Sequence, residues 1–224
     1  MFIAKINSTI LTDFYDEKGV PLHMIKSKEV VLPIPSKVTA PHIDNQIVET
    51  LIQMLQLKNN RICQHSFQVA NYAVSIAAKM RLPKEEIERI RMAAVLHDVG
   101  QLSVPNSIIA KQPYLSPKEL SMYRRHCNAG VAMLENMPAF AEFLPYIQFH
   151  HEQWDGKGYP NRLKGVNIPL GARIIAVANH YDRFINPCTQ HWAKTREQAV
   201  RELNNHSGTA FDPEVVRALV ESLG

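Results

Sequence analysis

Apolar residues recur at intervals of three and four along most of the chain, a spacing that places side chains on one face of an α-helix. Two clear sets are Ile47, Leu51, Met54 and Leu55, and Val69, Tyr72, Ala73, Ile76, Ala77 and Met80. Short polar connectors separate such segments, without an internal repeat or a low-complexity tract. The pattern predicts a bundle of about seven to nine helices.

Signals for helix starts support this prediction at three places. Ser116 supplies a capping hydroxyl, Pro117 suits the first helical position, and Glu119 can complete a capping box. The segments that begin at Thr195 and Asp212 have the same kind of start. We therefore expect a helix to begin next to each of these capping residues.

Residues 1–42 differ from the rest of the chain. Two apolar segments, residues 10–15 and 20–25, flank a turn-like Asp-Glu-Lys-Gly sequence, which is the pattern of a β-hairpin. Pro41 then marks a linker into the helical segments. We predict a short N-terminal extension over residues 1–42 and a helical domain over residues 43–224. So short an extension is not stable alone, so it is a candidate contact for a second copy or another partner.

Composition narrows the class of protein. The 224 residues are 46% hydrophobic and 21% charged, which suits one medium-sized domain with a buried core. The net charge of +4 is scattered, which favours small anionic ligands over a nucleic-acid polymer. The three cysteines lack a paired motif and are predicted to be small buried apolar residues in a reducing cytoplasm. No apolar run approaches the roughly 20 residues that cross a bilayer, so we expect a cytoplasmic protein without a membrane contact.

Histidines carry the clearest chemical signal. His150 and His151 are adjacent, which packing rarely requires, and they precede a loop of glycine, tyrosine and proline. The full set of candidate ligands is five imidazoles and one carboxylate: His65, His97, Asp98, His126, His150 and His151. Taken singly, His65 or His126 would be a surface or core histidine, but imidazoles and a carboxylate together are transition-metal ligands. Because one helix projects only one or two inward ligands at a given level, several helices must contribute to such a site.

Three motifs occur in a fixed order along the chain. They are His97-Asp98-Val99-Gly100, His150-His151-Glu152 and Asp155-Gly156-Lys157-Gly158-Tyr159-Pro160. Supporting phrases are Val104-Pro105, Ile168-Pro169, residues 173–178 and Phe211-Asp212-Pro213. This set resembles the HD-GYP subgroup of the HD-superfamily metal-dependent phosphohydrolases. The resemblance implies a mostly α HD-domain helical bundle, here with a small β-containing N-terminal extension, and hydrolysis of a cyclic dinucleotide such as cyclic di-GMP.

The resemblance also implies a binuclear metal site. Phosphodiester hydrolysis is then carried out by two metals about 3.5–4 Å apart, which activate water and stabilise the developing charge. The implied ligands of the first metal are His65, His97, Asp98 and the residue at position 179; those of the second are Asp98, His126, His150 and His151. His97 and Asp98 are accordingly expected at the catalytic centre. The two metals are expected to be iron or manganese, although zinc or nickel suits the same ligands. Occupancy by a single metal stays an alternative.

Three positions depart from the family pattern. Asn179 stands where the family supplies a carboxylate to the first metal, and a neutral amide oxygen is a weaker ligand. The amide is expected to reduce metal affinity or activity by at least the roughly 10–100-fold that loss of a ligand-supporting group causes. Asp182, one turn later, is an alternative ligand if the helix shifts. Gln101, expected in the catalytic motif, replaces a lysine that would position phosphate or the nucleophile. Arg61 replaces a glutamate of members with three metals, so no third metal is expected.

The loop over residues 155–160 is predicted to cover the metal site, since its glycines permit backbone conformations closed to other residues. Candidate substrate contacts are Lys157, Arg162 and Lys164 for phosphates, and Trp154 and Tyr159 for stacking on guanine or adenine. The alternatives are core packing of the two aromatic rings, which has equal weight, and a solvated position for the lysines.

Two functions from different classes fit these residues. The first is a metal-dependent phosphodiesterase for cyclic di-GMP or a relative, with activity reduced by Asn179 and Gln101. The alternative is a catalytically degenerate signalling module that binds a cyclic dinucleotide or a partner protein, such as a diguanylate cyclase domain. Oxygen chemistry at a mixed-valence iron pair is a third, more remote alternative. No serine-histidine-acid set, phosphate-binding loop or dinucleotide fingerprint offers a competing site.

Overall fold

Helices make up the part of the chain that the computed structural model describes, residues 45–186 and 193–224. The α-helices are α1 (Asn45–Lys58), α2 (Asn60–Lys79), α3 (Lys84–Leu96), α4 (Asn106–Ala110), α5 (Pro117–Arg124), α6 (His126–Leu134), α7 (Leu144–Phe149), α8 (Leu170–Ile185), α9 (Arg196–Asn205) and α10 (Pro213–Ser222). Three 3₁₀ helices lie between them, over Val99–Ser103, Pro138–Phe140 and Gly165–Asn167. Within the described residues the only bridge of β type joins Ser207 and Phe211. The predicted mostly α-helical class is therefore confirmed.

The predicted N-terminal extension, residues 1–42, lies outside the described residues together with its hairpin. The extension and the domain boundary near residue 42 therefore stay predictions. Among the described helices, none combines the length and the apolarity that a bilayer-crossing segment requires.

The ten α-helices of the described residues exceed the number that apolar spacing predicted. Helix α4 spans only Asn106–Ala110 and α7 only Leu144–Phe149, so neither is long enough to display a helical period. Helices α5 and α6 are separated by Arg125 alone, and they read as one segment in the sequence. Short helices escape a pattern that needs several turns to be recognised.

The predicted helix starts are confirmed. The Ser116 hydroxyl accepts a hydrogen bond from the Glu119 amide at 3.4 Å, and the Glu119 carboxylate accepts one from the Ser116 amide at 2.8 Å. Thr195 caps α9 through the same kind of capping box. The Asp212 carboxylate accepts from the Glu214 amide at 2.8 Å at the start of α10. Each cap satisfies amide groups that a helix start leaves without a partner.

Helices α2 and α8 lie at the centre of the bundle and pack against each other. Helix α2 also contacts α1, α3 and α10, while α8 contacts α3, α7, α9 and α10. Ile76 of α2, Ile90 of α3 and Ile174 of α8 are fully buried in this core. Burial of one such side chain contributes about 1.5–3 kcal/mol. The shared core fixes the relative positions of the helices that carry the candidate ligands.

Gly100 marks the closest approach between the 3₁₀ helix Val99–Ser103 and α6. A Cβ atom at this position would lie 1.9 Å from the His126 carbonyl oxygen and 2.6 Å from the Gly130 amide nitrogen. No side chain fits there, so only glycine permits the contact. The contact holds the start of α6 against the residues that directly follow Asp98.

Gly100→Ala is therefore expected to destabilise the fold by about 1–3 kcal/mol or more, because the methyl group overlaps backbone atoms that cannot move independently. The measurement is the free energy of unfolding from a denaturant titration. Gly130→Ala is the matched control, since the nearest atoms to its Cβ would lie at 3.3 Å, and it should have a much smaller effect. Equal stability of Gly100→Ala and the wild type would refute this account of the contact.

Candidate metal centre

Six predicted ligands lie together in the interior, and they come from four places in the fold. His65 belongs to α2, His97 and Asp98 directly follow α3, His126 is the first residue of α6, and His150 and His151 directly follow α7. The centroids of the His97 and His150 rings are 5.0 Å apart, and those of His126 and His151 are 5.2 Å apart. His126 lies at the start of α6 because α5 ends at Arg124.

The ligand atoms form two groups that meet at Asp98. The first group consists of His65, His97 and Asp98, and the second of His126, Cys127, His150 and His151; in each, the ligand atoms lie within 4.8 Å of one another. Asp98 Oδ2 is 3.3 Å from His97 Nε2, and Asp98 Oδ1 is 3.4 Å from His126 Nε2. A carboxylate in this position has one oxygen for each group, which is the geometry that a bridging ligand needs.

Helix ends determine how three of the imidazoles are oriented. Each Nδ1 lies within hydrogen-bond distance of a carbonyl three residues earlier: His97 to Ala94 at 2.7 Å, His126 to Tyr123 at 2.8 Å and His150 to Ile147 at 2.6 Å. These carbonyls belong to last helical turns, where regular intrahelical partners are missing. A carbonyl only accepts, so the proton is assigned to Nδ1 and the lone pair of each ring to Nε2.

The hydrogen bonding of the buried polar atoms tests whether the centre is suited to bind a cation. Among the described residues, His97 Nε2, His150 Nε2, His151 Nε2 and Asp98 Oδ1 are buried without a hydrogen-bond partner. Each unsatisfied buried polar atom costs about 1–3 kcal/mol, so four in one cluster would be a large penalty without a ligand. Nitrogen and carboxylate donors with such atoms fit a divalent transition metal.

Electrostatics maintain Asp98 and three of the imidazoles, those of His126, His150 and His151, in the protonation states that metal binding requires. Burial lowers the pKa of His126, and it lowers the pKa values of His150 and His151 well below the ordinary value. Burial alone would raise the pKa of Asp98, but the surrounding imidazoles, led by His97, outweigh it and hold that pKa well below its usual range. For His97 burial opposes the charged form, yet the Asp98 charge prevails and raises the pKa. The cluster thus contains an ionised carboxylate and mostly neutral imidazoles.

His65 is oriented by a carboxylate rather than by a backbone carbonyl. Its Nδ1 lies 2.5 Å from Asp182 Oδ2, and its Nε2 lies 3.1 Å from Asn179 Oδ1. Asp182 therefore contacts the ring nitrogen opposite the one that faces Asn179, and it holds His65 in place. In this arrangement Asp182 orients a ligand rather than replacing Asn179 as one.

Gln101 is buried beside the centre and contacts a tyrosine. Its side-chain amide donates to the Tyr123 hydroxyl at 3.2 Å. The Tyr123 carbonyl in turn accepts from His126 Nδ1. This chain of contacts links Gln101 to the orientation of one ligand; a catalytic role for Gln101 stays a prediction.

The loop that follows His151 packs closely on the centre. The Glu152 carboxylate accepts from the amides of Asn161 at 2.6 Å and Leu163 at 3.0 Å, and it thereby closes the loop. At Gly158 a Cβ would lie 2.3 Å from the Gln153 amide nitrogen, so the loop can pack this tightly only with glycine.

The candidate substrate residues of the loop occupy different environments. The Tyr159 ring stacks on His151 with centroids 4.8 Å apart, and the Arg124 guanidinium lies 4.8 Å from the Tyr159 centroid. A base could stack on Tyr159 only after one of these contacts moved. Lys157 is mostly exposed and pairs with Asp155 at 2.8 Å. The remaining candidates are the exposed Arg162 and Lys164 and the half-buried Trp154, whose ring is 5.7 Å from the Arg173 guanidinium.

Comparison with known families identifies the fold. A family model described as an HD domain matches residues 49–215. The chain belongs to the HD-domain family. The predicted resemblance to HD-type metal phosphohydrolases is thereby confirmed.

Relatives of this HD domain are phosphodiesterases by name. It is 31% identical over 178 residues to a cyclic di-GMP phosphodiesterase of Thermotoga maritima, covering 79% of this chain and 48% of the relative. It is 33% identical over 181 residues to 3'3'-cGAMP-specific phosphodiesterase 2 of Vibrio cholerae, covering 79% and 34%. A crystal structure of a Vibrio cholerae cyclic GMP-AMP specific phosphodiesterase shares the fold, with a TM-score of 0.61 and 21% identity over 81% of this chain and 49% of that one. The chain spans half or less of each of these proteins.

Two residues of the HD domain near the ligands were not predicted from the sequence. Cys127 is buried as predicted, but its Sγ belongs to the second ligand group and lies 3.6 Å from His126 Nε2. Arg183 lies one helical turn after Asn179 on α8, and its positive charge adds to burial in lowering the pKa values of His126 and His151. The adjacency of Cys127 to His126 and the four-residue spacing from Asn179 to Arg183 were the available signals.

A divalent metal is expected to raise the midpoint of thermal unfolding of the metal-free HD domain, because the unpaired nitrogens can bind the ion together only in the folded protein. At a metal concentration 100 times Kd the gain is about 2.7 kcal/mol. His150→Ala should lose most of the increase, whereas His206→Ala, at an exposed histidine outside the cluster, should keep it. The same metal-induced shift in His150→Ala and wild type would contradict the assignment.

Proposed function

We propose that the protein is a metal-dependent phosphodiesterase that hydrolyses cyclic di-GMP or a related cyclic dinucleotide. The observation that carries the proposal is the position of Asp98 between two groups of buried imidazoles, with four donor atoms that lack hydrogen-bond partners in the described part of the chain. The names of the relatives, which refer to cyclic di-GMP and 3'3'-cGAMP, support this substrate class.

The centre has donors for two divalent cations. His65, His97, Asp98 and Asn179 would hold the first cation, and Asp98, His126, His150 and His151 the second. Such cations supply an activated water for attack on phosphorus and neutralise charge that develops on the phosphate. Iron or manganese is our proposal for their identity, since imidazole with carboxylate and amide oxygen suits both.

The protein's own residues prepare this reaction in three ways. Asp98 remains ionised at neutral pH, because the neighbouring imidazoles hold its pKa low against the effect of burial. The closed loop and the buried ligands limit the access of bulk water. Arg183 adds positive charge near the cluster, which attracts an anionic phosphodiester.

The basic side chains of the loop beyond the metal centre are proposed substrate contacts. Lys157, Arg162 and Lys164 are exposed along the loop, where they can reach phosphate oxygens, Lys157 in exchange for its pair with Asp155. Trp154 is half-buried, and Tyr159 would need Arg124 or His151 to move before a base could stack on it. We therefore give the loop cations more weight than the aromatic rings in substrate binding.

The alternative function, a degenerate module that binds a cyclic dinucleotide or a protein without turnover, has its own support. Asn179 offers a neutral oxygen to the first group, and the Gln101 amide bonds to Tyr123. A diguanylate cyclase domain or a second copy as partner stays a prediction from the sequence. A cytoplasmic location is likewise proposed, and the free buried thiols of Cys63 and Cys127 support a reducing compartment.

Turnover of cyclic di-GMP, 3'3'-cGAMP and cyclic di-AMP by protein loaded with iron or manganese tests the proposal. We expect a linear dinucleotide product from at least one substrate. Asp98→Asn should reduce the rate by about 100-fold or more, because a neutral amide replaces the shared anionic ligand. Glu135→Gln, at an exposed carboxylate after α6, should leave the rate unchanged. Absence of turnover in protein that holds its metals would refute catalysis and favour the binding module.

Asn179→Asp provides a gain-of-function test. A carboxylate in place of the amide is expected to strengthen metal binding at the first group by about 10–100-fold and to raise turnover when metal is limiting. Metal affinity is measured by competition with a chelator, and Asn136→Asp, an exposed substitution of the same kind, is the control. If affinity and turnover stay at wild-type levels, Asn179 does not limit the centre.

A further inference from the structure

The second ligand group contains a donor that the proposed function does not use, the thiol of Cys127. Its Sγ is 3.6 Å from His126 Nε2, and it lies within 4.8 Å of the ligand nitrogens of His126, His150 and His151. The residue is fully buried, so the thiol is shielded from solvent on the inner side of α6.

The separation between Cys127 Sγ and His126 Nε2, a hydrogen-bond distance for a thiol and an imidazole, also matches that of two donors around a single ion. Two atoms that are each about 2.0–2.3 Å from one metal, at an angle near the tetrahedral value, lie about 3.3–3.8 Å apart, which includes the observed Sγ–Nε2 separation. Independent support comes from His150 and His151, whose buried Nε2 atoms lack any hydrogen-bond partner within the described residues. One sulfur thus lies at metal-ligand spacing from one imidazole and beside two imidazoles without partners. This arrangement indicates that the four side chains share one metal ion.

The local fold keeps Cys127 in this position. His126 and Cys127 are the first two residues of α6, and the Tyr123 carbonyl orients the His126 ring. Gly100 permits the 3₁₀ helix to press against the His126 carbonyl and the Gly130 amide, so the first turn of α6 cannot retreat from the cluster. These contacts fix the first turn of α6, which carries Cys127, beside the cluster.

We propose that Cys127 is a thiolate ligand of the second metal, which completes a set of one sulfur and three imidazoles beside the Asp98 bridge. The inference rests on the proposed metal centre and deepens it. As the metal–sulfur bond forms, the thiol proton passes to solvent, and no atom changes its oxidation state. Because thiolate selects softer ions, the second site prefers iron or zinc to manganese, while the first group keeps only nitrogen and oxygen donors.

Cobalt(II) added to the metal-free full chain reports the ligand directly. Wild-type protein is expected to show a thiolate-to-cobalt charge-transfer band in the near ultraviolet. Cys127→Ser should lose this band and keep the visible absorption of histidine-bound cobalt, which also shows that the centre is still folded. Cys63→Ser is the matched control, since Cys63 is buried in the apolar core of α2, and it should retain the band. Absence of the band in wild type, or its retention in Cys127→Ser, overturns the inference.

A second measurement needs no variant. X-ray absorption of the zinc-loaded wild type should detect a sulfur neighbour at about 2.3 Å from the metal. A shell of nitrogen and oxygen alone overturns the thiolate assignment and leaves the proposed histidine and aspartate centre standing. Failure of cobalt and zinc to bind at all refutes both the inference and the metal centre on which it rests.

Discussion

The structure depends on one constraint: a carboxylate, Asp98, is buried between imidazoles that face it with their Nε2 atoms. Burial penalises the charge, and the imidazoles compensate for it strongly enough to keep the acid ionised. His97 leads this compensation, and Asp98 in turn raises the His97 pKa, whereas burial lowers the pKa values of His126, His150 and His151 and favours their neutral donor form. The charge of the centre is thus balanced within the protein only in part, and the donor atoms without a partner among the described residues make it suited to a cation.

Helix ends are the device by which a bundle builds such a centre. Regular helix interiors have their carbonyls occupied, whereas last turns offer carbonyls that can fix an imidazole through Nδ1. Helices α3, α5 and α7 each end next to a ligand and use this arrangement. His65, in the interior of α2, has no such carbonyl and is held by Asp182 instead. The shortness of α5 and α7 therefore serves the site, since it places more helix ends near one point.

The two ligand groups differ in ways that bear on function. Asn179 places a neutral amide oxygen beside His65 of the first group, and as a ligand it would make this group the weaker of the two for a divalent ion. The second is richer in nitrogen and contains the Cys127 sulfur, so it is the softer. Two ions in an asymmetric centre of this kind would be bound with unequal strength, and the first group is where the difference between a phosphodiesterase and a binding module would arise.

The sequence by itself determined the helical class, the helix starts at Ser116, Thr195 and Asp212, and the six histidine and aspartate candidates, because capping residues and motif spacing are local signals. Tertiary structure alone decided how the candidates divide into two groups, that Asp182 lies behind His65 and that Gln101 contacts Tyr123. It also brought Cys127 into the ligand set, although composition indicated only a buried thiol. These features depend on distances between residues far apart in the chain, which are fixed by the packing of helices and by the close contact at Gly100.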